Sequence, residues 1–208
     1  MTPGWVDRTV RQILRTCDAH YVTPSLHPLL AARWSPTKFD SAHEIARGEI
    51  EVILEAARWA PSAGNSQPWA FIVARRGTAE HTRLVRHLAG SSATWAPSAS
   101  LLIANLSHRF VEETDWEFSE FSVYDLGQAV AHMSIQAQAL GLHVRQFRAF
   151  DREGIAEEFA VPTHWEVTTL AAIGRAAPDS ARVPAVEGTG GPPVRARRAV
   201  DEILWPRA

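Results

Sequence analysis

Hydrophobic residues recur at helical spacing in several stretches of the chain. In residues 5–17 and 48–60 the apolar positions lie three and four residues apart, which predicts two amphipathic helices. The second helix is expected to end at Pro61, because proline cannot continue a helix. Residues 124–141 are small and apolar on nearly every side, which predicts a helix buried at the centre of the fold.

Short apolar runs between these helices predict four strands, at 69–74, 100–105, 143–150 and 166–174. Thr78 and Asp151 have side chains that cap helix N-termini, so two further helices are expected after them, the first ended by Gly90. Residues 107–121 are acidic, aromatic and without a regular period, which predicts a loop or a short mobile helix. The chain shows no internal repeat and no clear domain boundary, and we expect an α/β or α+β domain.

Composition narrows the range of partners. The 208 residues carry a net charge of −2, which does not favour nucleic acid or an anionic membrane as a partner. A single cysteine excludes an intrachain disulfide and a cysteine-rich zinc site, and none of the nine histidines forms a close metal-ligand pair. No apolar run approaches the roughly 20 residues of a membrane span, and residues 1–21 lack the apolar core of a signal peptide. We therefore expect a cytoplasmic protein, whose eight tryptophans suit interfaces or flat ligands.

The segment "ARWSPTKF" places Arg33, Ser35, Thr37 and Lys38 within six residues of irregular chain. Arginine offers a bidentate fork to a phosphate group, and hydroxyl groups can bind its remaining oxygens. The alternative is a solvated basic turn, which is common on protein surfaces. Composition alone leaves both interpretations open.

The segment "APSAGNSQPWAFIV" connects a predicted helix to a predicted strand. Pro61 and Gly64 predict a turn, and Ser62, Asn65 and Gln67 add donors and acceptors beside apolar residues. A side-chain amide offers a donor and an acceptor in one plane, which suits the edge of a polar heterocycle. The alternative is a helix C-terminal turn whose polar side chains bind its own backbone.

The end of the chain differs in composition from the rest. Residues 175–193 are rich in proline, glycine and alanine, which predicts an extended arm. The arginines of "VRARR" then suit either a phosphate or a solvated tail: Arg195, Arg197 and Arg198. The chain contains no GxGxxG, GxxxxGK[ST] or GxSxG motif, so the usual nucleotide loops and the hydrolase nucleophile are absent.

Five stretches together resemble the nitroreductase family, in that family's order and spacing, over most of residues 27–175. They are "HPLLAARWSPTKFD", "ILEAARWAPSAGNSQPWAFIVA", "YDLGQAVAHMSIQAQALGLHV", "FRAFD" and "LAAIG". The run around "APSAGNSQPW" is the most specific of them. The resemblance implies an α+β fold in which helices flank a central mixed β-sheet. It also implies an intertwined homodimer that binds FMN at the subunit interface.

The resemblance further implies an activity and a domain organisation. Residues 1–26 would form an N-terminal helical extension, 27–175 the FMN-binding domain, and 176–208 a C-terminal arm of that domain. The implied enzyme transfers hydride from NADH or NADPH, through the flavin N5, to a nitroaromatic, quinone or related small acceptor by a ping-pong mechanism. No catalytic side chain is required, because the flavin itself carries the redox chemistry.

The family's FMN contacts can be carried over to positions in this chain. The motif that binds the phosphate and ribityl chain corresponds to Arg33, Trp34, Ser35 and Thr37. The element at the isoalloxazine edge corresponds to Pro61, Ser62, Ala63, Asn65 and Gln67. The segment around N5 and O4 corresponds to Gln146, Phe147, Arg148 and Ala149. The closing basic pair on the phosphate corresponds to Arg195 and Arg197. Thr37 occupies a position that is frequently basic in the family, and Lys38 can compensate for it.

One departure from the family pattern concerns the residues ahead of "FD". Many relatives have small glycines there, whereas this chain has Arg148 and Ala149. We hypothesise that Arg148 stabilises the anionic reduced flavin or selects an acidic substrate; the alternative is that its side chain points to solvent. Two other functions stay open. The chain could dehydrogenate or dehalogenate a specific metabolite chosen by the loop at 107–121, or it could store FMN or sense redox state without turnover.

Overall fold

The computed structural model describes residues 26–180 and 197–205 of the chain. Over these residues the helices are α1 (Pro28–Ala32), α2 (Arg47–Arg58), α3 (Ala79–Arg86), α4 (Gly90–Ala93), α5 (Ser122–Ala139) and α6 (Arg152–Glu158). The strands are β1 (Trp69–Arg75), β2 (Leu101–His108), β3 (His143–Phe147) and β4 (Trp165–Gly174). Short 3-10 turns lie at Ala63–Asn65, Ala96–Ser98 and Asp201–Ile203. The four strands and the α+β class predicted from the sequence are confirmed.

The strands form one sheet in the order β1-β2-β4-β3. Strands β2 and β4 lie at its centre, which explains why β2 is buried along nearly its whole length and why the second half of β4 is buried. Every strand pairing among the described residues is antiparallel, so the parallel pairing that a mixed sheet requires is not found in this part of the chain. Strands β1 and β3 form the two edges, about 14 Å apart at the usual spacing of 4.8 Å between neighbouring strands.

Helices cover both faces of the sheet because the side chains of β2 alternate between two apolar clusters. Leu101 and Ile103 point to one face, where they pack with α2 and α5. Leu102 points to the other face, where it packs with α3 and α6. Both clusters are formed by buried residues, so the sheet is the middle layer of three.

Local sequence signals explain where several helices begin. The Asp151 carboxylate accepts a hydrogen bond from Gly154 N–H at 3.0 Å, and it caps α6 as predicted. Thr78 caps α3 in the same way, through His81 N–H. The predicted end of this helix at Gly90 is wrong: α3 ends at Arg86, and Gly90 begins the single turn α4. Ala89 N–H bonds to Ala149 O, which draws the chain to the segment after β3.

Helix α5 was predicted to be buried all round, but the described chain buries only one of its faces. Leu126, Met133 and Ala137 lie in the core. The opposite side stays exposed, including Tyr124, whose side chain is 68% exposed, and Ala131. The helix predicted at residues 5–17 and most of the C-terminal arm, including Arg195, lie outside the described residues.

Candidate functional site

The loop from Pro61 to Gln67, hereafter the PSAGN loop, connects α2 to β1 and has an unusual backbone. Gly64, Asn65 and Gln67 adopt φ angles of 57°, 55° and 50°. Left-handed backbone is favoured by glycine but is uncommon for other residues, and asparagine tolerates it best among them. Three such residues among four positions require support from the surrounding structure, and strained backbone of this kind clusters at ligand sites.

Side chains inside and below the PSAGN loop supply that support. Ser62 Oγ accepts a hydrogen bond from Gln67 N–H at 3.0 Å, which closes the loop on itself. The Asp125 carboxylate, on α5, accepts from Ala63 N–H at 2.9 Å. Gln128, one turn further along α5, donates to Pro61 O at 3.5 Å. The loop is therefore attached to the N-terminal end of α5.

The polar side chains of the PSAGN loop are left at the surface. Asn65 and Gln67 are exposed. They contact each other through Gln67 Nε2 and Asn65 Oδ1 at 3.3 Å, an exposed contact that a stronger partner can replace. The Ser66 hydroxyl is buried and has no hydrogen-bond partner among the described residues. The predicted donors of this segment thus share one exposed turn.

The predicted phosphate segment lies elsewhere, along the edge strand β3. Arg33 Nη1 donates to Ser35 Oγ at 3.4 Å, so the guanidinium and the hydroxyl are adjacent. Trp34 is 8% exposed and its ring meets the His143 ring edge-on at 5.2 Å. Arg145, on β3, donates to Pro36 O at 3.1 Å. The side chain of Trp34 therefore anchors the segment to β3, while the polar groups of Arg33 and Ser35 remain outside the core.

The next two residues of the segment are engaged with the start of the C-terminal arm. The N–H groups of Thr37 and Lys38 both donate to Ser180 Oγ, at 3.2 and 3.1 Å. Lys38 Nζ lies 2.6 Å from Asp179 Oδ2, and the ion pair lowers the pKa of this exposed carboxyl. A phosphate would compete with Asp179 for Lys38.

The segment from Gln146 to Ala149 continues from β3. Phe147 packs edge-on against Trp95 at 4.9 Å, so its side chain belongs to the core. Arg148 is exposed, and its guanidinium carbon lies 5.0 Å from the centre of the Phe150 ring. Ala149 O accepts from Ala89 N–H at 3.1 Å. Only Gln146 and Arg148 therefore direct polar side chains to the surface here.

The PSAGN loop and the phosphate segment lie at opposite ends of α5. Asp125 holds the loop near the first turn of the helix, whereas Trp34 packs on His143, just beyond the last turn at Ala139. At 1.5 Å per residue, the 14 residues from Asp125 to Ala139 span about 21 Å. One chain thus presents two halves of the predicted site on different parts of its surface.

An apolar groove between α1, α2 and α5 separates these two halves. It is lined by Leu30, Val52, Trp59, His132 and Ile135, among others, and it is open to solvent. The side chains of Trp59 and Leu30 are 72% and 46% exposed. Contiguous exposed apolar surface of this kind marks an interaction site in most proteins.

The acidic loop at 109–121 precedes α5 and is attached to the sheet by an aromatic stack. The His108 ring lies between Phe118, at 3.8 Å, and Trp165, at 4.6 Å, with interplanar angles of 16° and 14°. Burial and, next, the neighbouring His164 lower the pKa of His108. The loop ends where α5 begins, beside Asp125 and the PSAGN loop.

From the sequence Asp125 is interpreted as a cap of α5 and Gln128 is not singled out, whereas in the structure both contact the PSAGN loop from α5. An aspartate near a helix start is normally interpreted as a cap, and no local pattern links it to a loop 62 residues earlier. The described residues hold no group of three or more His, Cys, Asp or Glu side chains able to bind a metal ion. Among them, no helix has the length and apolar character needed to cross a bilayer.

Comparison with known proteins identifies the family of the chain. Residues 30–175 match the sequence profile of the nitroreductase family. A protein of Archaeoglobus fulgidus, named as a proposed NADH dehydrogenase/NAD(P)H nitroreductase, is 28% identical over 142 residues, which are 64% of this chain and 76% of that protein. The oxygen-insensitive NADPH nitroreductase of Helicobacter pylori is 47% identical over 45 residues, 22% of this chain and 21% of its own.

Solved structures share the fold as well. A crystal structure described as an oxidoreductase containing FMN superposes with a TM-score of 0.69 at 30% identity, and the match covers 76% of this chain and 80% of that one. The profile match spans both candidate segments, the helix α5 and all four strands. The chain therefore belongs to the nitroreductase family.

Proposed function

We propose that two copies of this chain bind FMN between them and pass hydride from NADH or NADPH to a small acceptor such as a nitroaromatic or a quinone. The observation that carries this proposal is the separation of the two halves of the site. Asp125, which holds the ring segment, and Ala139, close to the phosphate segment, lie about 21 Å apart along α5, so we infer that one compact mononucleotide does not contact both segments within one chain. Two chains related by symmetry would bring the loop of one copy to the phosphate segment of the other.

The donor set at the phosphate end suits the FMN tail. Arg33 offers the planar fork that binds phosphate oxygens, and the adjacent Ser35 hydroxyl supplies a further donor. Arg197 adds a second guanidinium from the end of the chain, and we propose that it binds the same phosphate. Arg195 is proposed beside it. Lys38 plays a smaller part in this proposal, because Asp179 already neutralises its charge.

The PSAGN loop suits the flavin ring. Asn65 and Gln67 expose their amides on a turn whose left-handed backbone keeps the adjacent peptide groups at the surface. An amide matches the alternating carbonyl and N–H groups at the pyrimidine edge of the flavin. Donors fixed there stabilise the negative charge that develops on that edge during reduction. Pro61, Ser62 and Ala63 would contact the ring mainly through their backbone.

The segment from Gln146 to Ala149 leaves the sheet at the C-terminal end of β3. We propose that Gln146 and Arg148 face the flavin on its N5 side, while Phe147 and Ala149 contribute backbone and packing. The bound flavin supplies the redox chemistry by accepting and releasing a hydride equivalent, so the chain needs no nucleophile of its own. Its tasks are to bind, to orient and to exclude water.

The groove between α1, α2 and α5 is the proposed dimer contact. Its apolar lining would become buried under a second copy, and Trp59 would supply a large aromatic anchor. Ala131 lies on the exposed face of α5 beside this groove. An Ala131→Glu substitution should therefore prevent association, because it places a charge in a desolvated contact while leaving the chain's own core intact. Sedimentation should show monomers, absorbance should show no bound flavin, and circular dichroism should show the parental secondary structure.

The proposal is tested on the purified full-length protein. A yellow dimer that NADH or NADPH bleaches rapidly in a stopped-flow instrument, and that an added quinone or nitroaromatic reoxidises, supports the enzyme. A yellow protein that neither nucleotide bleaches indicates flavin storage or sensing instead. Bleaching without reoxidation by any nitroaromatic or quinone indicates a dehydrogenase or dehalogenase of a specific metabolite. A colourless monomer that does not bind added FMN contradicts the proposal as a whole.

A further inference from the structure

We propose that Asp125 is the positioning residue of the flavin site: its buried carboxylate fixes the shape of the PSAGN loop and sets the flavin's affinity and midpoint potential. This inference rests on the proposed function for its flavin part. The tether between Asp125 and the loop can also be tested in the apoprotein alone.

The surroundings of the carboxylate support a structural role directed at the loop. Asp125 is 2% exposed. Its Oδ2 accepts from Ala63 N–H at 2.9 Å, and its Oδ1 accepts from Gln128 Nε2 at 3.2 Å. A buried carboxylate is unfavourable unless it is hydrogen-bonded, and hydrogen bonds to an ionised group are the strong ones. The hydrogen bond from Ala63 N–H to the Asp125 carboxylate is therefore expected to be strong.

Capping of α5 does not explain why residue 125 is an aspartate. Phe121 occupies the N-cap position, and Asp125 N–H donates to Phe121 O at 2.8 Å, so Asp125 already lies within the helical hydrogen-bond ladder. Its side chain accepts hydrogen bonds from the loop and from Gln128. Aspartate has a low helix propensity in helix interiors, but Asp125 lies in the first turn of α5, where negative charge is tolerated. The position near the N-terminus lowers the electrostatic cost of the charge, and the contact with Ala63 accounts for the residue type.

The consequence for the loop follows from its backbone. Ala63 directly precedes Gly64 and Asn65, the first two left-handed residues. The Ala63 peptide plane is fixed at one end, and Ser62 Oγ holds Gln67 N–H at the other. This limits the conformations that the three residues between them can adopt. A flavin would then meet a loop that is already in its binding shape, which reduces the entropy lost on binding.

The charge itself has a second effect. A carboxylate directly below the ring-binding turn disfavours extra negative charge on the ring, so it should lower the midpoint potential of the bound flavin. The two effects can be separated, because asparagine is isosteric with aspartate and keeps an oxygen acceptor for Ala63 N–H while losing the charge.

The test compares Asp125→Asn and Asp125→Ala with Asp115→Asn, which removes a carboxylate from the exposed acidic loop. In the apoprotein, amide hydrogen exchange of residues 63–67 should accelerate in Asp125→Ala and stay close to the parent in the two asparagine variants. In titrations with FMN, Asp125→Ala should raise the Kd tenfold to a hundredfold, since it removes a hydrogen bond to a charged group. Asp125→Asn should largely restore affinity and shift the midpoint potential to a more positive value.

Each result bears on the inference. Parental exchange and parental FMN affinity in Asp125→Ala would overturn it. An unchanged midpoint potential in Asp125→Asn would overturn its electrostatic part. If Asp125→Ala does not fold, Asp125→Asn still tests the effect of the charge on the midpoint potential. Gln128→Ala then tests the attachment of the loop, because it removes the hydrogen bonds of Gln128 to Asp125 and to Pro61. If the parent itself binds no FMN, the proposed function fails, while the exchange experiment still decides whether Asp125 holds the loop.

Discussion

Replacing Gly64 by alanine isolates the energetic contribution of the left-handed backbone in the PSAGN loop. A Cβ built at Gly64 meets no atom within 4 Å, so the substitution adds no steric conflict with neighbouring groups. The φ angle of 57° is the remaining obstacle. An L-residue in this region loses roughly 1–2 kcal/mol, partly offset by the lower entropy of its unfolded chain. We therefore expect the flavin-bound state to be destabilised by about 1 kcal/mol.

That free energy can appear in either of two measurements. If the apoprotein keeps the left-handed loop, its melting temperature should fall by about 2–4 °C, the shift expected for 1 kcal/mol in a chain of this size. If the exposed loop relaxes without flavin, the melting temperature stays unchanged and the FMN Kd rises about fivefold. Calorimetry of the apoprotein measures the loss of folding free energy, and a flavin titration measures the loss of FMN binding free energy. The sum of these two losses should be about 1 kcal/mol in both cases.

Two other glycines provide matched controls. Gly141, with φ 76°, also has no atom within 4 Å of its Cβ, and it lies just beyond α5, away from the loop. Gly141→Ala should lower the melting temperature by a similar amount without changing the FMN Kd. Gly48 is inside α2 with an equally open Cβ position and no positive φ, so its replacement by alanine should stabilise by about 0.5–1 kcal/mol. A Gly64→Ala protein that keeps both parental values would refute the reasoning.

Three further predictions concern charge. Arg33→Ala should raise the FMN Kd tenfold to a hundredfold, because it removes the guanidinium that binds the phosphate. The control Lys38→Ala breaks an exposed ion pair and should change the Kd less than about threefold. Equal effects of the two substitutions would contradict the assignment of the phosphate site. Arg148→Gly should lower the flavin midpoint potential and weaken any preference for acidic acceptors, and parental values of both would show that the side chain faces solvent. Burial lowers the pKa values of His81 and His108, so the folded state favours their neutral forms. Stability in urea should therefore decline as the pH falls below the ordinary histidine value of about 6.5, and less so in His108→Phe; equal declines would exclude His108 as a cause.

Much of the fold follows from local sequence patterns. Strand β2 begins with four apolar residues because it lies at the centre of a sheet covered on both faces. Helix α2 has its apolar residues on the one face that packs. Asp151 and Thr78 cap the helices that follow them, since those caps depend only on residues nearby in the sequence. Gly90 misled the prediction because its neighbour Ala89 bonds to Ala149, a contact 60 residues away in the chain.

The site was predictable in composition but not in arrangement. The polar residues of the PSAGN loop are visible in the sequence, whereas the left-handed backbone at Asn65 and Gln67 is not, because neither residue type requires it. The sequence indicates that Asp125 is a helix cap and does not reveal its contact with the loop, for a related reason: its partner is a backbone N–H, which every residue except proline offers. Local patterns thus identify the side chains that could bind the flavin, whereas long-range hydrogen bonds determine which of them are fixed in position.

Helix α5 shows how a discrepancy between sequence and structure can itself carry information. Its sequence is apolar on nearly every side, a pattern that belongs to a helix surrounded by protein. The described chain covers only one side and leaves Ala131 and the groove beside Trp59 open. The sequence pattern predicts complete burial of α5, whereas one chain buries only one of its faces. The two observations are compatible if a second chain covers the other face. The same second chain would bring a PSAGN loop to the opposite end of α5, so one association would account for both the exposed helix face and the divided flavin site.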